Sequence, residues 1–235
     1  MKGLTAKVFR TFNASVTLQK ELEKTPNEED TTVEEKILYY NRANRQVAIL
    51  CNHKKSVPKK LGEQIEKIDY KMDVLSEEMD RINEALKKAK GKKVKRTKED
   101  QEEFDARRKR IEAFEDKEEE RFSQKLKEKK EEKKEDKKEE KFKRSDPNKE
   151  LPDDVEKLNK RLEKIEESLK KLEINKQQRE ENSEVALGTS KINYNDPRIT
   201  VAWTKKHGVP LEKVFSATLR KKFPWAQVAT EKFVF

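Results

Sequence analysis

At 235 residues the chain has room for one or two domains, yet only 31% of its residues are hydrophobic and 45% are charged, too little apolar material to fill a core along the whole length. The formal charge of +10 and a pI near 9.3 favour an anionic partner, nucleic acid ahead of membrane, because no lipidation signal, apolar leader or membrane-length run accompanies the charge. A single cysteine, Cys51, forbids an internal disulfide and fits a reducing compartment, so a soluble intracellular protein is expected.

Leu4, Val8, Phe9, Phe12, Val16 and Leu18 recur at helix-like spacing up to about Glu23, which predicts a helix with one buried side closed by Thr25-Pro26-Asn27. A second helix is predicted from about Thr32 to Cys51, with Val33, Ile37, Leu38, Ala43, Val47, Ala48 and Leu50 on its apolar face and its end near Asn52-His53. After Pro58 the pattern becomes a heptad. Leu61, Ile65, Ile68, Met72, Leu75, Met79, Ile82, Leu86 and Ala89 follow at alternating steps of four and three, and Val155, Leu158, Leu162, Ile165, Leu169 and Leu172 repeat the same kind of seam after Pro152. Two arms in one chain most simply fold back as an antiparallel hairpin roughly 40 Å long; pairing of each arm with a second molecule is the alternative.

Between the arms, 91–150 is mostly charge. Phe104, Ile111 and Phe114 hint at a stripe, but from Lys129 the sequence places like charges at i and i+4, which predicts a frayed, salt-sensitive helix or disorder. Lys92-Lys93-Val94-Lys95-Arg96 is similar to a basic nuclear-import peptide, although a solvated turn is the commoner reading of any five-residue basic run. Apolar density returns at the end: Ile199, Val201, Ala202 and Trp203 predict a short helix ending at His207-Gly208, and Leu211, Val214, Phe215, Leu219, Phe223, Trp225 and Val228 offer further bulk to bury against the first two helices.

The stretch with the most chemistry is Gly188-Thr189-Ser190-Lys191-Ile192-Asn193-Tyr194, read as a glycine-containing loop that delivers Tyr194 to a helix start, with Asp196 as N-cap and Pro197 at the first helical position. A phosphate at that hydroxyl would meet a positive helix end. The hairpin starts and ends at one place, so His53 and Tyr194 are expected as neighbours. A tyrosine is a weak nucleophile at neutral pH until its proton is removed and developing phosphorane charge is stabilised, which arginine and histidine can do. The sequence carries no glycine-rich phosphate loop, no carboxylate cluster at metal spacing and no Ser-His-Asp set. Metal-free and cofactor-free phosphoryl transfer is the matching chemistry. His207, Tyr39, Tyr40 and Tyr70 keep ordinary structural readings, His207 as a cation at a helix C-terminus.

Four blocks, Lys7 to Ser15, Tyr40 to Arg45, Ala48 to His53 and Ala186 to Trp203, resemble in order the type IB family of eukaryotic DNA topoisomerases. The resemblance implies a mainly α fold in three parts: 1–57 as the helical end of the catalytic core, 58–178 as a coiled-coil linker with a charged middle, and 179–235 as a small helical C-terminal domain carrying the nucleophile. It implies that Tyr194 attacks a phosphodiester of double-stranded DNA, forming a 3'-phosphotyrosyl bond and freeing a 5'-hydroxyl, so that supercoils relax by rotation before religation. Arg10 and His53 would contact the non-bridging oxygens in the transition state, Asn193 would line the cleavage pocket where camptothecin-type poisons bind, and Lys191 would contact DNA. Neither metal nor nucleotide is required in the family, and a nuclear location follows.

Two departures accompany the match. The family's second catalytic arginine and its general-acid lysine lie upstream of the block containing Arg10, as does the clamp around the duplex, so the expected partner is that upstream portion and the isolated chain is expected to relax DNA little or not at all. The linker is also longer than the family's. A tyrosine recombinase and a non-enzymatic basic coiled-coil scaffold are the competing readings; the first would give site-specific exchange, the second salt-sensitive binding without covalent capture.

Overall fold

The computed structural model describes residues 3–26, 31–91, 96–132, 144–146, 151–152 and 154–235, with side chains throughout these except 128–132. The described residues are mainly α-helical, with no strand among them beyond one isolated bridge. They divide into two units, one formed by Met1–Gly62 with Ile174–Phe235, the other by Glu63–Glu173.

The first unit is built on α1 (Ala6–Leu22), α2 (Val33–Leu50) and α7 (Pro197–Lys206). Thr32 starts α2 with a full capping box, its hydroxyl taking the Glu35 N–H while the Glu35 carboxylate takes its own N–H. Ala14, Leu18 and Leu22 of α1, Tyr40, Ala43 and Val47 of α2, and Ile199 and Trp203 of α7 share one core with Cys51, Val209 and Val214. The Tyr40 and Trp203 rings lie 5.1 Å apart at 32°. Both polar tips are satisfied inside, Tyr40 with the Thr200 hydroxyl at 3.0 Å and Trp203 donating its indole N–H to Thr25 at 3.1 Å, as buried polar groups require.

The apolar face of α1 is only half used. Its second half is buried, but Val8, Phe9 and Phe12, expected to lie inside, are 48%, 59% and 57% exposed, because the core residues of α7 pack against the C-terminal turns of α1. The closing stretch also divides: α8 (Leu211–Val214), α9 (Ala217–Lys222) and a 3-10 turn at Pro224–Val228 place Phe215, Leu219 and Ala226 in a smaller cluster with Val201, while Trp225 and Val228 stay exposed. Gly208, at φ +64, ends α7 in the left-handed region as its position predicts.

The second unit holds most of α3 (Leu61–Ala89), α4 (Lys98–Glu132) and most of α5 (Val155–Glu181). Ile82 and Leu86 of α3 meet Leu158 and Ile165 of α5, with Leu75, Met79, Leu162 and Leu169 packed against them. Arg161 reaches Glu78 in a two-pronged pair at 2.8 and 2.9 Å.

Helix α4 continues the stripe of Phe104, Ile111 and Phe114 over 98–132. It pairs with α3 through ions: Arg107 with Asp80 at 2.6 Å, Arg110 with Asp73 at 2.7 Å, Lys117 with Glu66 at 2.7 Å and Arg121 with Glu63 at 3.3 Å. Numbers rise along one helix as they fall along the other, so α3 and α4 run antiparallel. Phe114 stacks on Tyr70 with ring centres 4.5 Å apart, and Ile111 is buried. Tyr70 donates to the buried Glu115 carboxylate at 2.7 Å, which also takes the Ser145 N–H and hydroxyl. Burial, with the Glu115 acceptor second, pushes the Tyr70 hydroxyl up to about 12, so it stays a donor. The basic stretch at 92–95 and the charged run at 133–143 lie outside the described residues.

Candidate active site

The site is assembled where three chain segments of the first unit meet. Helix α2 ends at Leu50, and Asn52, at φ +52, turns the chain in the left-handed region, a conformation asparagine tolerates better than most residues. The turn lets the Cys51 carbonyl and the His53 side chain serve one place. Beyond it, the His53 carbonyl accepts the Ala186 N–H at 2.9 Å and the Lys55 N–H donates to the Glu184 carbonyl at 3.0 Å, around the antiparallel bridge of Lys54 with Val185. This pairing feeds directly into α6 (Leu187–Asn193).

Gly188 therefore lies in a helix and not in a loop, which corrects the sequence reading: Tyr194 is the C-cap of α6. The N–H groups of Tyr194 and Asn195 both go to the Ser190 carbonyl at 3.0 Å. Asp196 caps α7 as expected, accepting from Arg198 N–H at 2.9 Å with Pro197 in the first turn. The Asp196 carboxylate also holds the Arg198 guanidinium at 2.7 Å, so an anion already occupies that helix end, and the charge facing Tyr194 comes from elsewhere. On the other side, the buried Ser15 hydroxyl donates to the Tyr194 carbonyl at 3.3 Å and accepts the Asp196 N–H at 3.0 Å, tying α1 to the same turn.

The structure brings Arg10, His53 and Tyr194 together. The Arg10 guanidinium carbon is 4.7 Å from the centre of the Tyr194 ring, and the His53 ring is 5.3 Å from it at 34°. Arg10 is steadied by donating to the Cys51 carbonyl. His53 is held through Nδ1 by the Ser190 hydroxyl at 2.8 Å. Burial, with the Arg10 charge second, lowers the His53 pKa below its usual value, which favours a neutral ring near pH 7. A tyrosine flanked by a cation and a neutral imidazole donor can receive a phosphate between them.

Asn193 and Lys191 sit differently. Asn193, the last residue of α6, is exposed beside Tyr194. Lys191 turns inward, its ammonium 4.7 Å from the Tyr40 ring centre and 3.5 Å from the Val214 carbonyl. The residues that sequence reasoning missed are Ser190, Ser15 and Cys51, which hold the set from behind; the only signal for Ser190 is its place one helical turn before the tyrosine. His207, expected as a cation, is buried against Trp203 at 5.4 Å, and burial, with Lys206 and Lys36 after it, lowers its pKa. Among the described residues no cluster of metal-ligating side chains occurs, and no helix is long and apolar enough to cross a membrane.

Among the described residues a mainly helical scaffold brings a tyrosine beside an arginine and a histidine. Residues 1–86 match the family model for the eukaryotic DNA topoisomerase I catalytic core, and residues 166–235 that for the C-terminal topoisomerase domain. The whole chain aligns at 41% identity with DNA topoisomerase 1 of Caenorhabditis elegans and at 39% with that of Homo sapiens, and at 36% with DNA topoisomerase 1 beta of Arabidopsis thaliana, spanning 22%, 24% and 20% of those proteins respectively. The chain belongs to the eukaryotic DNA topoisomerase I family, matching its C-terminal portion.

Proposed function

We propose that this chain supplies the nucleophile-bearing part of a type IB DNA topoisomerase. The Tyr194 hydroxyl oxygen attacks a phosphorus of double-stranded DNA, its proton passing to solvent; the new bond is a 3'-phosphotyrosine and the bond broken is to the 5'-oxygen, which takes up a proton and leaves as a hydroxyl. The reverse attack by that hydroxyl reseals the strand after rotation has relaxed the duplex. Arg10 and His53 stabilise charge on the non-bridging oxygens, and Asn193 borders the cleaved position. The family's upstream portion contributes the second arginine and the lysine that protonates the leaving oxygen. Rotation in the nucleus, without metal or nucleotide, completes the reading, with the helical arms paired within one chain, as the Arg161–Glu78 pair favours.

The observation that carries the proposal is the convergence of Arg10 and His53 on the Tyr194 ring. Incubation with nicked duplex DNA in the presence of the upstream portion, followed by denaturant, tests it. Covalent adducts through a 3'-phosphate at many sites are expected, while capture at one sequence alone would favour a recombinase. Salt-sensitive binding with no adduct would leave only a scaffold.

A further inference from the structure

We infer that Ser190 is a positioning residue that fixes His53 as the tautomer protonated on Nε2, leaving that nitrogen as the donor for a phosphate oxygen. The inference rests on the reading of Tyr194 as nucleophile with His53 as its charge stabiliser. The Ser190 hydroxyl is 2.8 Å from His53 Nδ1, and Ser190 has no exposed surface. A neutral imidazole has one donor nitrogen and one acceptor, so the direction of this bond decides which nitrogen keeps the proton.

Two arrangements are conceivable in such a pair. If Nδ1–H donated to the serine, the serine's own proton would need a second acceptor in a fully enclosed place, and the described residues show no other hydrogen bond from that hydroxyl. If the serine donates to Nδ1, its proton is satisfied and the histidine proton moves to Nε2. Buried hydroxyls are rarely left without an acceptor, so the second arrangement holds. Burial and the nearby Arg10 charge act in the same sense by disfavouring the doubly protonated ring.

Ser190 does a second thing from the same helical turn. Its carbonyl takes the N–H groups of both Tyr194 and Asn195 at 3.0 Å. One residue thereby sets the orientation of the histidine through its side chain and the course of the backbone at the tyrosine through its main chain. Substitution that removes only the hydroxyl separates the two.

Nitrogen-15 NMR of the labelled 235-residue chain reads the tautomer directly, and with two histidines in the sequence H207Q assigns the signals. The expected result is an acceptor-type shift for His53 Nδ1 and a donor-type shift for Nε2. S190A should give a mixture of tautomers, and S190T should restore the single form. A proton on Nδ1 in the unsubstituted chain, or an S190A spectrum still wholly in the Nε2–H form, overturns the inference; the first observation decides it even if S190A does not fold. With the upstream portion added, S190A should slow covalent capture on the order of 10- to 100-fold with DNA binding unchanged. If the tautomer is as stated but the unsubstituted chain captures no DNA, it is the nucleophile reading that fails and not the role of Ser190.

Discussion

Arg10 and Tyr194 come from opposite ends of the chain, yet the guanidinium carbon of one rests 4.7 Å from the ring centre of the other. The contact places a permanent cation against the phenol face, and donation to the Cys51 carbonyl keeps the arginine from swinging away. The pair is thus held in a fixed orientation, the condition that the proposed electrostatic role of Arg10 requires.

Removing the reactive oxygen alone isolates its role. Y194F in the presence of the upstream portion should abolish denaturant-stable DNA adducts while leaving the dissociation constant for duplex DNA within about threefold, less than 1 kcal/mol. R10K keeps the charge but loses the planar fork; adduct formation should fall on the order of 10²-fold, the scale of losing one such donor. Adducts with Y194F, or unchanged rates with R10K, would contradict the proposed roles.

The two histidines make stability depend on acid. Both have folded-state pKa values below the usual one, His53 and His207 each through burial first, so the unfolded chain takes up protons before the folded one does. Their effect on stability is absent well above the unfolded pKa near 6.5 and becomes destabilising as pH falls through and below it. Urea midpoints measured from pH 8 to 5 should fall below about pH 6.5, and H207Q should flatten part of the slope. A midpoint that rises on acidification over that range would refute both directions.

The left-handed turn at Asn52 gives a backbone test. N52G should be tolerated, whereas N52V should lose on the order of 1–2 kcal/mol, because a β-branched residue resists positive φ. Chemical denaturation compares the two. Equal stability would mean that the turn relaxes without cost.

Charge screening should act on one helix selectively. The α3–α4 pairs of Arg107, Arg110, Lys117 and Arg121 are partly exposed, so each is weak alone and weakened further by salt. Hydrogen exchange at 1 M NaCl should quicken along α4 while amides of α1, α2 and α7, held by an apolar core, remain protected. Uniform loss across both would deny the ionic character of the pairing.

Much of this architecture can be seen in the residues themselves. The Ile82–Leu86 and Leu158–Ile165 seams, the Asp196-Pro197 helix start and the Gly208 stop all follow from local chemistry. Helix α4 left only a hint because its inward stripe mixes chemistries: Phe104, Arg107, Ile111, Phe114, Glu118 and Arg121 step by three and four like any heptad, but a search for apolar residues sees three of the six. Gly188 misled in the other direction, since glycine marks loops by frequency alone and here sits in a helical turn. The exposure of Phe9 and Phe12 could not be read from spacing, which finds a face but not what covers it. The nearness of His53 and Tyr194 follows from the hairpin that the heptads predict, and only the place of Arg10 beside them needed the family blocks, while the Ser190 support depends on a tertiary contact with no mark in the sequence.

Glu181, near the end of α5, accepts two bonds from Arg42 at 3.0 and 2.7 Å and one longer contact at 3.3 Å, while its own carbonyl takes Arg45 at 2.7 Å. The Arg42 bond keeps this carboxyl below its usual pKa, so it stays ionised at neutral pH. Three residues further on, the chain enters the short pairing that leads to Ser190 and Tyr194. The double grip joins the C-terminal end of α5 to α2 at Arg42 and Arg45, so the chain is anchored twice just before it enters the segment that carries Tyr194.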